Sequence, residues 1–359
     1  MRLILQPSRA LPRSKGGEVM LLTLRWRIGV MVLVLVAAWS LSVPGRAGPA
    51  PLLRVGFGSQ PDFTDFWAKW TLDDLTKQTG VQVRVTHFEN GPIAYRSLVA
   101  GAVDIVFSGG IGAILNLATQ QRPDRLMAVM ADLVAPDYIL LGREGVNSLQ
   151  DLVGKRVGIS SPGDISDVLS RAMLRNAGVD VSRVQFVRVG GTGARVAALG
   201  SGAIEAGVAH AFDAILAMQR VRGLKVLAVS GEVVPDYLQH ILAVRQSFLN
   251  ANEDLLRRIV FTHMDSARRA ASDKAAYVAL AKETLGANVA DAVWSQAYDL
   301  MYQGRIWGVD GGLDPRRVRI TQELEVEAKN ITAPVPISEW GTAKFISEYL
   351  RQKGTYSWK

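Results

Sequence analysis

The sequence predicts an α/β protein made of two similar halves, and three observations carry that prediction. Short apolar segments alternate with segments of helical period from residue 52 to about residue 285. Four strand-like segments end in turns of small residues: Gly56-Phe-Gly-Ser-Gln60, Ser108-Gly-Gly110, Ser160-Ser-Pro-Gly-Asp164 and Gly190-Gly-Thr-Gly193. The alternation runs once to residue 133 and starts again near residue 147. A chain of this pattern packs helices on mostly parallel sheets.

Taken in order, residues 52–58 form a short strand that ends in a glycine turn. Residues 66–79 read as a helix, with Phe66, Trp67, Trp70 and Leu75 on its apolar face and Gly80 as its stop. A strand at 81–88, a helix at 93–100 and a buried strand at 104–107 follow. A helix at 111–120 and a strand at 126–133 complete the first half. In the second half, residues 147–154 read as a short helix, 156–159 as a strand and 165–176 as a helix closed by Gly178. The strand at 184–189 breaks at the glycine turn, and a helix runs over 195–201. Strands follow at 205–209, 225–229 and 240–245, then helices at 253–272 and 274–284. The tail is mostly helical, punctuated by Asp310-Gly-Gly312, Pro334 and Pro336.

With 359 residues, 48% hydrophobic and 21% charged, the chain can bury a sizeable core and form about two domains. The absence of cysteine removes disulfide scaffolds, cysteine–zinc sites and thiol catalysis. The net charge of +8 is concentrated at the start. Residues 1–47 hold seven bases and one acid, leaving 34 bases against 32 acids, so no basic footprint for nucleic acid remains. Residues 28–41 are apolar, follow Arg25 and Arg27, and precede the small residues Gly45 and Ala47. This pattern predicts a signal peptide over 1–47, cleaved after Ala47, and a soluble periplasmic product. The run is shorter than the roughly 20 residues of a membrane anchor. Met20 begins a more ordinary leader than Met1 does.

Three ordered motifs add a family resemblance. They are Leu98-Val-Ala-Gly-Ala-Val-Asp-Ile-Val-Phe-Ser-Gly109, Ser148-Leu-Gln-Asp-Leu-Val-Gly-Lys-Arg-Val-Gly-Ile-Ser-Ser-Pro-Gly163 and Ala197-Ala-Leu-Gly-Ser-Gly-Ala-Ile-Glu-Ala-Gly207. Over about residues 52–285 the chain resembles the periplasmic solute-binding proteins of ABC transporters, in the group that binds nitrate, sulfonates, taurine and thiamine precursors. Glu205 stands where aspartate is commoner in that group. The resemblance implies a two-lobed, type II-like periplasmic binding protein fold with a ligand cleft between the lobes. Residues 48–139 and 241–359 would form lobe 1, the latter with the C-terminal helices, and 140–240 would form lobe 2. The implied function is capture of a small anionic organic solute by lobe closure and its delivery to an ABC permease. The ATPase would be a separate protein, since no Walker A motif occurs in the chain. The same resemblance implies a monomer that is not an enzyme and has no cofactor. A ligand-sensing partner of a receptor kinase is an alternative use of the fold. A thiamine-pyrimidine-synthase-like enzyme is another, disfavoured by the leader and the missing cysteines.

Open α/β sheets bind ligands beyond the carboxyl ends of their strands, where helix starts present free amides to an anion. The candidate ligand-binding residues are therefore Gly58, Ser59, Gln60, Ser108, Gly109, Ser160, Ser161, Gly163, Gly191, Thr192 and His210. For Ser108, Ser160, Ser161 and Thr192 the competing reading is helix capping. His210 can donate to a carboxylate or be a structural histidine. Phe63, Phe66 and Trp67 can line an aromatic subsite, although core packing is favoured for the last two. Asp62 reads as a cap, Asp164 as a cap or as a partner for an amine or hydroxyl on the ligand, and Arg195 as a solvated helix residue rather than an anion ligand. His87, His240 and His263 are scattered, and no metal-ligand spacing occurs.

Overall fold

The computed structural model describes residues 51–359 apart from 121, 287 and 359. The signal peptide expected at 1–47 lies outside the described residues. The chain lays down β1 (Leu52–Phe57), α1 (Ala68–Thr79), β2 (Gln82–His87), α2 (Gly91–Val99), β3 (Ile105–Gly110), α3 (Ile111–Ala118) and β4 (Leu126–Leu133). It then crosses to a second sheet and builds β5 (Tyr138–Gly142), β6 (Arg156–Ile159), α4 (Ile165–Asn176), β7 (Gln185–Arg188), α5 (Thr192–Ser201), β8 (Ala206–His210), α6 (Ala211–Arg220) and β9 (Lys225–Val229). After the short α7 (Ser230–Val233) it returns as β10 (His240–Arg245). Helices α8 (Gln246–Ala251), α9 (Glu253–Ser272), α10 (Lys274–Leu285), α11 (Asp291–Gln303), α12 (Pro315–Glu327) and α13 (Lys344–Lys353) complete it.

The first sheet has the order β2-β1-β3-β10-β4 and the second β7-β6-β8-β5-β9. In each, three strands are parallel, β1 with β2 and β3, and β6 with β7 and β8. The expectation of mostly parallel sheets holds for strand direction, with one reversed strand in each. β10 runs antiparallel to β3 and β4, and β5 to β8 and β9, so the other four strands of each sheet share a direction. The reason is the crossing itself. A strand that enters directly from the other sheet arrives without a crossover helix and so runs the opposite way. The carboxyl ends of the parallel strands consequently gather beside the two crossings.

Four local expectations shift. The first helix starts at Ala68 rather than Phe66, since residues 62–67 form a turn in which Trp67 Nε1 donates to the Thr64 carbonyl at 2.8 Å. Only Gln150–Leu152 of 147–154 is helical, and as a 3₁₀ turn, because the Asp151 carboxylate takes the amides of Asn147 and Ser148. Helix α5 starts at Thr192, three residues earlier than its spacing predicts. Strand β5 and helix α6 were not legible as elements. β5 is a buried, uniformly apolar run without alternation, and α6 follows His210 without a side-chain cap.

One ion pair in each sheet, the two closely matching, ties it together at the end away from the glycine turns. Arg54 on β1 donates through Nε to Asp104 Oδ2 at 3.0 Å, and the Arg54 amide bonds the same oxygen at 2.9 Å. Arg156 on β6 does the same to Glu205, through Nε at 3.1 Å and its amide at 3.0 Å. The guanidinium also binds the end of the helix that precedes the acid, at the Gly101 carbonyl in one sheet and the Gly202 carbonyl in the other. The acids of the two G-x-x-D/E motifs thus close the same joint twice.

The core lies on both faces of the strands, with Val55, Ile105, Phe107 and Val129 fully buried in the first sheet and Val157, Ala206 and Val208 in the second. A separate aromatic cluster holds the turn after β1. Phe63, Phe66 and Trp67 are all buried, Phe63 against Phe212 and Trp294, and Trp67 stacked on His263 at 4.5 Å. Tyr277 anchors the same turn by donating to the Phe63 carbonyl at 2.6 Å. The aromatic-subsite reading therefore gives way for all three.

Gly58 shows how tightly the turns are packed, since an added Cβ would lie 2.5 Å from the Ser108 carbonyl oxygen. Gly58→Ala is expected to cost about 1–3 kcal/mol by overpacking. Gly191→Ala, with no atom within 4 Å of its Cβ, is expected to be near neutral. Denaturant midpoints of the two variants check this contrast.

Candidate functional site

A cavity of about 460 Å³ opens between the two sheets at the carboxyl ends of β1, β3, β6 and β8. Of the expected residues, Gly58, Ser59, Gln60 and Ser108 line it from the first sheet, and Ser160, Gly191, Thr192 and His210 from the second. Three expected residues lie off its wall. Gly109 packs its Cα against the Tyr95 ring. Ser161 accepts the Asp164 amide through its carbonyl at 3.1 Å. Gly163 turns back with φ of 74° and accepts from Asn330 Nδ2 at 2.9 Å. A larger groove of about 620 Å³ runs along α1 and β2, but no residue of the second sheet contributes to it.

None of the four hydroxyl residues caps a helix. Gly110 and Gly191 occupy the N-cap positions of α3 and α5 without a side-chain cap, and Asp164 caps α4 through the Ser166 amide at 3.0 Å. Helix α6 starts at His210, also without a side-chain cap. Three helix starts on the cavity wall therefore leave amides without a side-chain partner. Ser108 adopts φ of 54°, and its amide donates to Asp132 Oδ2 at 3.2 Å. The Ser59 hydroxyl donates to Asp65 Oδ2 at 2.9 Å, and Gln60 Nε2 donates to the Phe88 carbonyl. The Ser160 hydroxyl is buried and has no protein partner among the described residues.

Arg195 is not solvated. It is 2% exposed, with Nε on the Val208 carbonyl at 2.8 Å, Nη1 on the Gly190 carbonyl at 2.6 Å and Nη2 on the Thr192 hydroxyl at 3.0 Å. Residue spacing placed it on a helix, but only the fold shows that this face of α5 lies on β8.

Two histidine–carboxylate pairs stand behind the cavity. His210 Nδ1 lies 2.8 Å from Asp137 Oδ1, and His240 Nδ1 lies 3.2 Å from Asp65 Oδ1. Burial disfavours the charged imidazolium in both, yet Asp137 lifts His210 to about 10 and Asp65 raises His240. Burial likewise opposes the Asp137 carboxylate, but His210 and the donors Gln239 and Thr64 bring it down to about 2. Asp62 differs. Burial first, then the nearby Asp65, push it up to about 7. Burial also raises Asp132 to about 6, and it raises Asp213.

The sequence reading missed Asp65, Asp137, Asp213 and His240 as parts of this site. Asp213 sits three positions after His210 in the first turn of α6, a spacing that could have suggested it. The other three meet only because the crossings bring residues 65 and 240, and 137 and 210, together. Among the described residues, no group of three or more His, Asp or Glu side chains is placed to hold a metal ion.

Solved structures with this architecture include the ligand-binding component of an ABC-type import system from Staphylococcus aureus. It is 16% identical with a TM-score of 0.69, covering 83% of this chain and 99% of that one. The alkanesulfonate-binding protein SsuA from Xanthomonas axonopodis pv. citri, bound to MOPS, is 15% identical with a TM-score of 0.65, covering 82% and 100%. At such identities the likeness establishes the fold, that of periplasmic binding proteins. Residues 73–275 match the family described as NMT1/THI5 like, and the chain belongs to that family. A protein of Brucella abortus (strain 2308), named only provisionally as a binding protein, is 26% identical over 210 residues. That match covers 58% of this chain and 63% of the relative, so the chain spans less than two thirds of the relative's length.

The buried groups set a pH dependence. Asp62, Asp132 and Glu325, the last raised to about 7 by burial, stay protonated in the fold where an unfolded chain would have lost the proton. His210 and His240 keep theirs above the usual histidine range. Each contribution fades as pH rises, the carboxyls toward about 7 and His210 toward about 10. His263, which burial holds neutral down to about 3, acts in the opposite sense below the usual histidine range. The ligand-free protein is expected to melt at a higher temperature near about pH 5 than near about pH 9. A melting point that climbs across that interval would contradict these protonation states.

Proposed function

We propose that this protein is a periplasmic solute receptor, exported by the leader at 1–47, that binds a small organic solute without transforming it. The solute sits in the cavity between two lobes, 48–139 with 241–359 and 140–240, and carries an anionic group. The observation that carries the reading is the cavity, to which strand ends and helix starts of both sheets contribute. A solute touching both walls favours the closed arrangement by its differential affinity for the two states, and hinge closure is the physical element. The closed form then docks on an ABC permease powered by a separate ATPase.

Further support comes from the uncapped starts of α3, α5 and α6, which suit an anionic group. No helix of the described residues is long and apolar enough to cross a membrane. Binding without chemistry is supported by the likeness in fold to a ligand-binding component and an alkanesulfonate-binding protein.

Native mass spectrometry of the purified protein is expected to release a small organic molecule. Its re-addition is expected to raise the melting temperature and reduce the radius of gyration in solution scattering. Gly193 lines the cavity, and a Cβ there meets no atom within 4 Å. Gly193→Phe is therefore expected to fold normally and lose at least about ten-fold in affinity, a loss of about 1.4 kcal/mol. Unchanged affinity in a folded Gly193→Phe would put the ligand elsewhere, and the absence of compaction by any solute would remove the receptor reading.

A further inference from the structure

Between two points bonded to β4, the chain leaves the first sheet and reaches across to the second. The Ala131 amide donates to the Gly311 carbonyl at 2.8 Å, and the Ala128 amide donates to the Trp340 carbonyl at 2.7 Å. The excursion from 312 to 339 carries α12, which lies along the returning crossing. There the Leu238 amide donates to the Thr321 hydroxyl at 2.9 Å, the Tyr237 hydroxyl donates to Glu325 Oε1 at 2.6 Å, and Arg316 pairs with Asp236 at 2.8 Å. The same helix packs against α4, which belongs to the second sheet.

The end of this excursion fits against both sheets through glycines. Glu325 is buried, and its Oε2 fills the space that Gly112 leaves in the first turn of α3, where a Cβ would strike it. After α12, Lys329 takes the left-handed conformation with φ of 65°, a costly one for a residue with a side chain. That turn sets Asn330 between the sheets. Its backbone carbonyl accepts Asn116 Nδ2 of α3 at 2.8 Å. Its own Nδ2 donates to Glu325 on one side and to the Gly163 carbonyl at 2.9 Å on the other. A Cβ on Gly163 would strike Asn330 Oδ1. Gly163 belongs to the turn between β6 and α4, whose Ser160 and Asp164 line the cavity. The neighbouring ion pair of Arg175 with Glu327 at 3.0 Å is largely solvated and contributes little.

We propose, resting on the receptor reading above, that the excursion 312–339 is a brace that limits how far the two lobes part. Asn330 is its positioning residue, holding the β6–α4 turn of lobe 2 to lobe 1. Both ends of the brace are bonded to β4 of lobe 1, whereas the Gly163 carbonyl moves with lobe 2. Parting the lobes at the crossings draws that carbonyl off Asn330 Nδ2 and loses the hydrogen bond. The receptor therefore rests with its two walls near each other, and an arriving solute meets a cavity already bounded on both sides. At the mouth the walls do stand close, since a Cβ on Gly190, after β7, would lie 3.4 Å from Glu89 Oε1, after β2.

Spin labels on the outer strands test this in the purified protein, refolded to strip any bound molecule. β2 and β7 lie at the sheet edges remote from the crossings, so opening separates them most. Thr86 and Arg188 are exposed on these strands, and the chain has no cysteine of its own. Thr86→Cys combined with Arg188→Cys therefore carries labels at those two positions alone. In this background Asn330→Ala, and Asn330→Asp, which keeps the shape and removes the donor, are expected to leave the circular dichroism unchanged. Both are expected to raise the population of wider separations at least about three-fold, the factor that accompanies loss of one net hydrogen bond. Gly112→Ala, which displaces Glu325 without altering Asn330, is expected to widen the distribution likewise and decides the matter if an Asn330 variant does not fold. Distributions that match the parent in the folded variants overturn the brace. Because no solute enters this measurement, that failure leaves the receptor reading standing, and the receptor reading falls separately if no solute compacts the protein.

Discussion

The arrangement depends on the buried knot where the chain crosses between its two sheets. Asp137 lies on the outgoing segment and Gln239 on the returning one, and they bond reciprocally. The Asp137 amide donates to Gln239 Oε1 at 2.9 Å, and Gln239 Nε2 donates to Asp137 Oδ1 at 2.9 Å. Thr64 and His210 complete the shell of the same carboxylate. A charged pair placed there would be a liability if any member were unsatisfied, whereas a filled shell fixes one geometry. The knot joins the turn after β1, the end of β8 and both crossings, so it sets how the cavity's two walls meet.

From that knot the cavity wall follows in order. His210 presents its second nitrogen toward Asp62, and α6 begins at His210 and brings Asp213 onto the wall. Phe63, Phe66 and Trp67 are drawn into the aromatic cluster, leaving Asp62 and Asp65 of the same turn on the polar side. Arg195 reinforces the opposite wall by binding the carbonyls of Gly190 and Val208 together. These are properties of one packed junction.

Features set by short spacing were legible in the sequence. The glycine turns and the helix stop at Gly80 follow from rules that act over a few residues, whereas the acid of each G-x-x-D/E motif came with the family resemblance alone. Eight of the proposed contacts, from Gly58 to His210, fall on the cavity because strand ends were a sound guide. Gly109, Ser161 and Gly163 missed it because a turn of small residues points only some of its members inward. Arg195 and the acids were read less well. Whether Arg195 meets solvent depends on β8, and the partners of Asp65 and Asp137 lie 175 and 73 residues away. Strand β5 escaped notice because a strand buried on both faces has no alternation to reveal it.

The repeated joint of Arg54 with Asp104 and of Arg156 with Glu205 has a mechanical consequence. Each rivets two neighbouring parallel strands, β1 to β3 in one sheet and β6 to β8 in the other, at the end remote from the cavity. Stiffened there, the sheets have little room to shear or splay internally. In the proposed closure, flexure would fall on the linking segments at 134–137 and 234–239, with each half turning as a plate on a pair of short straps.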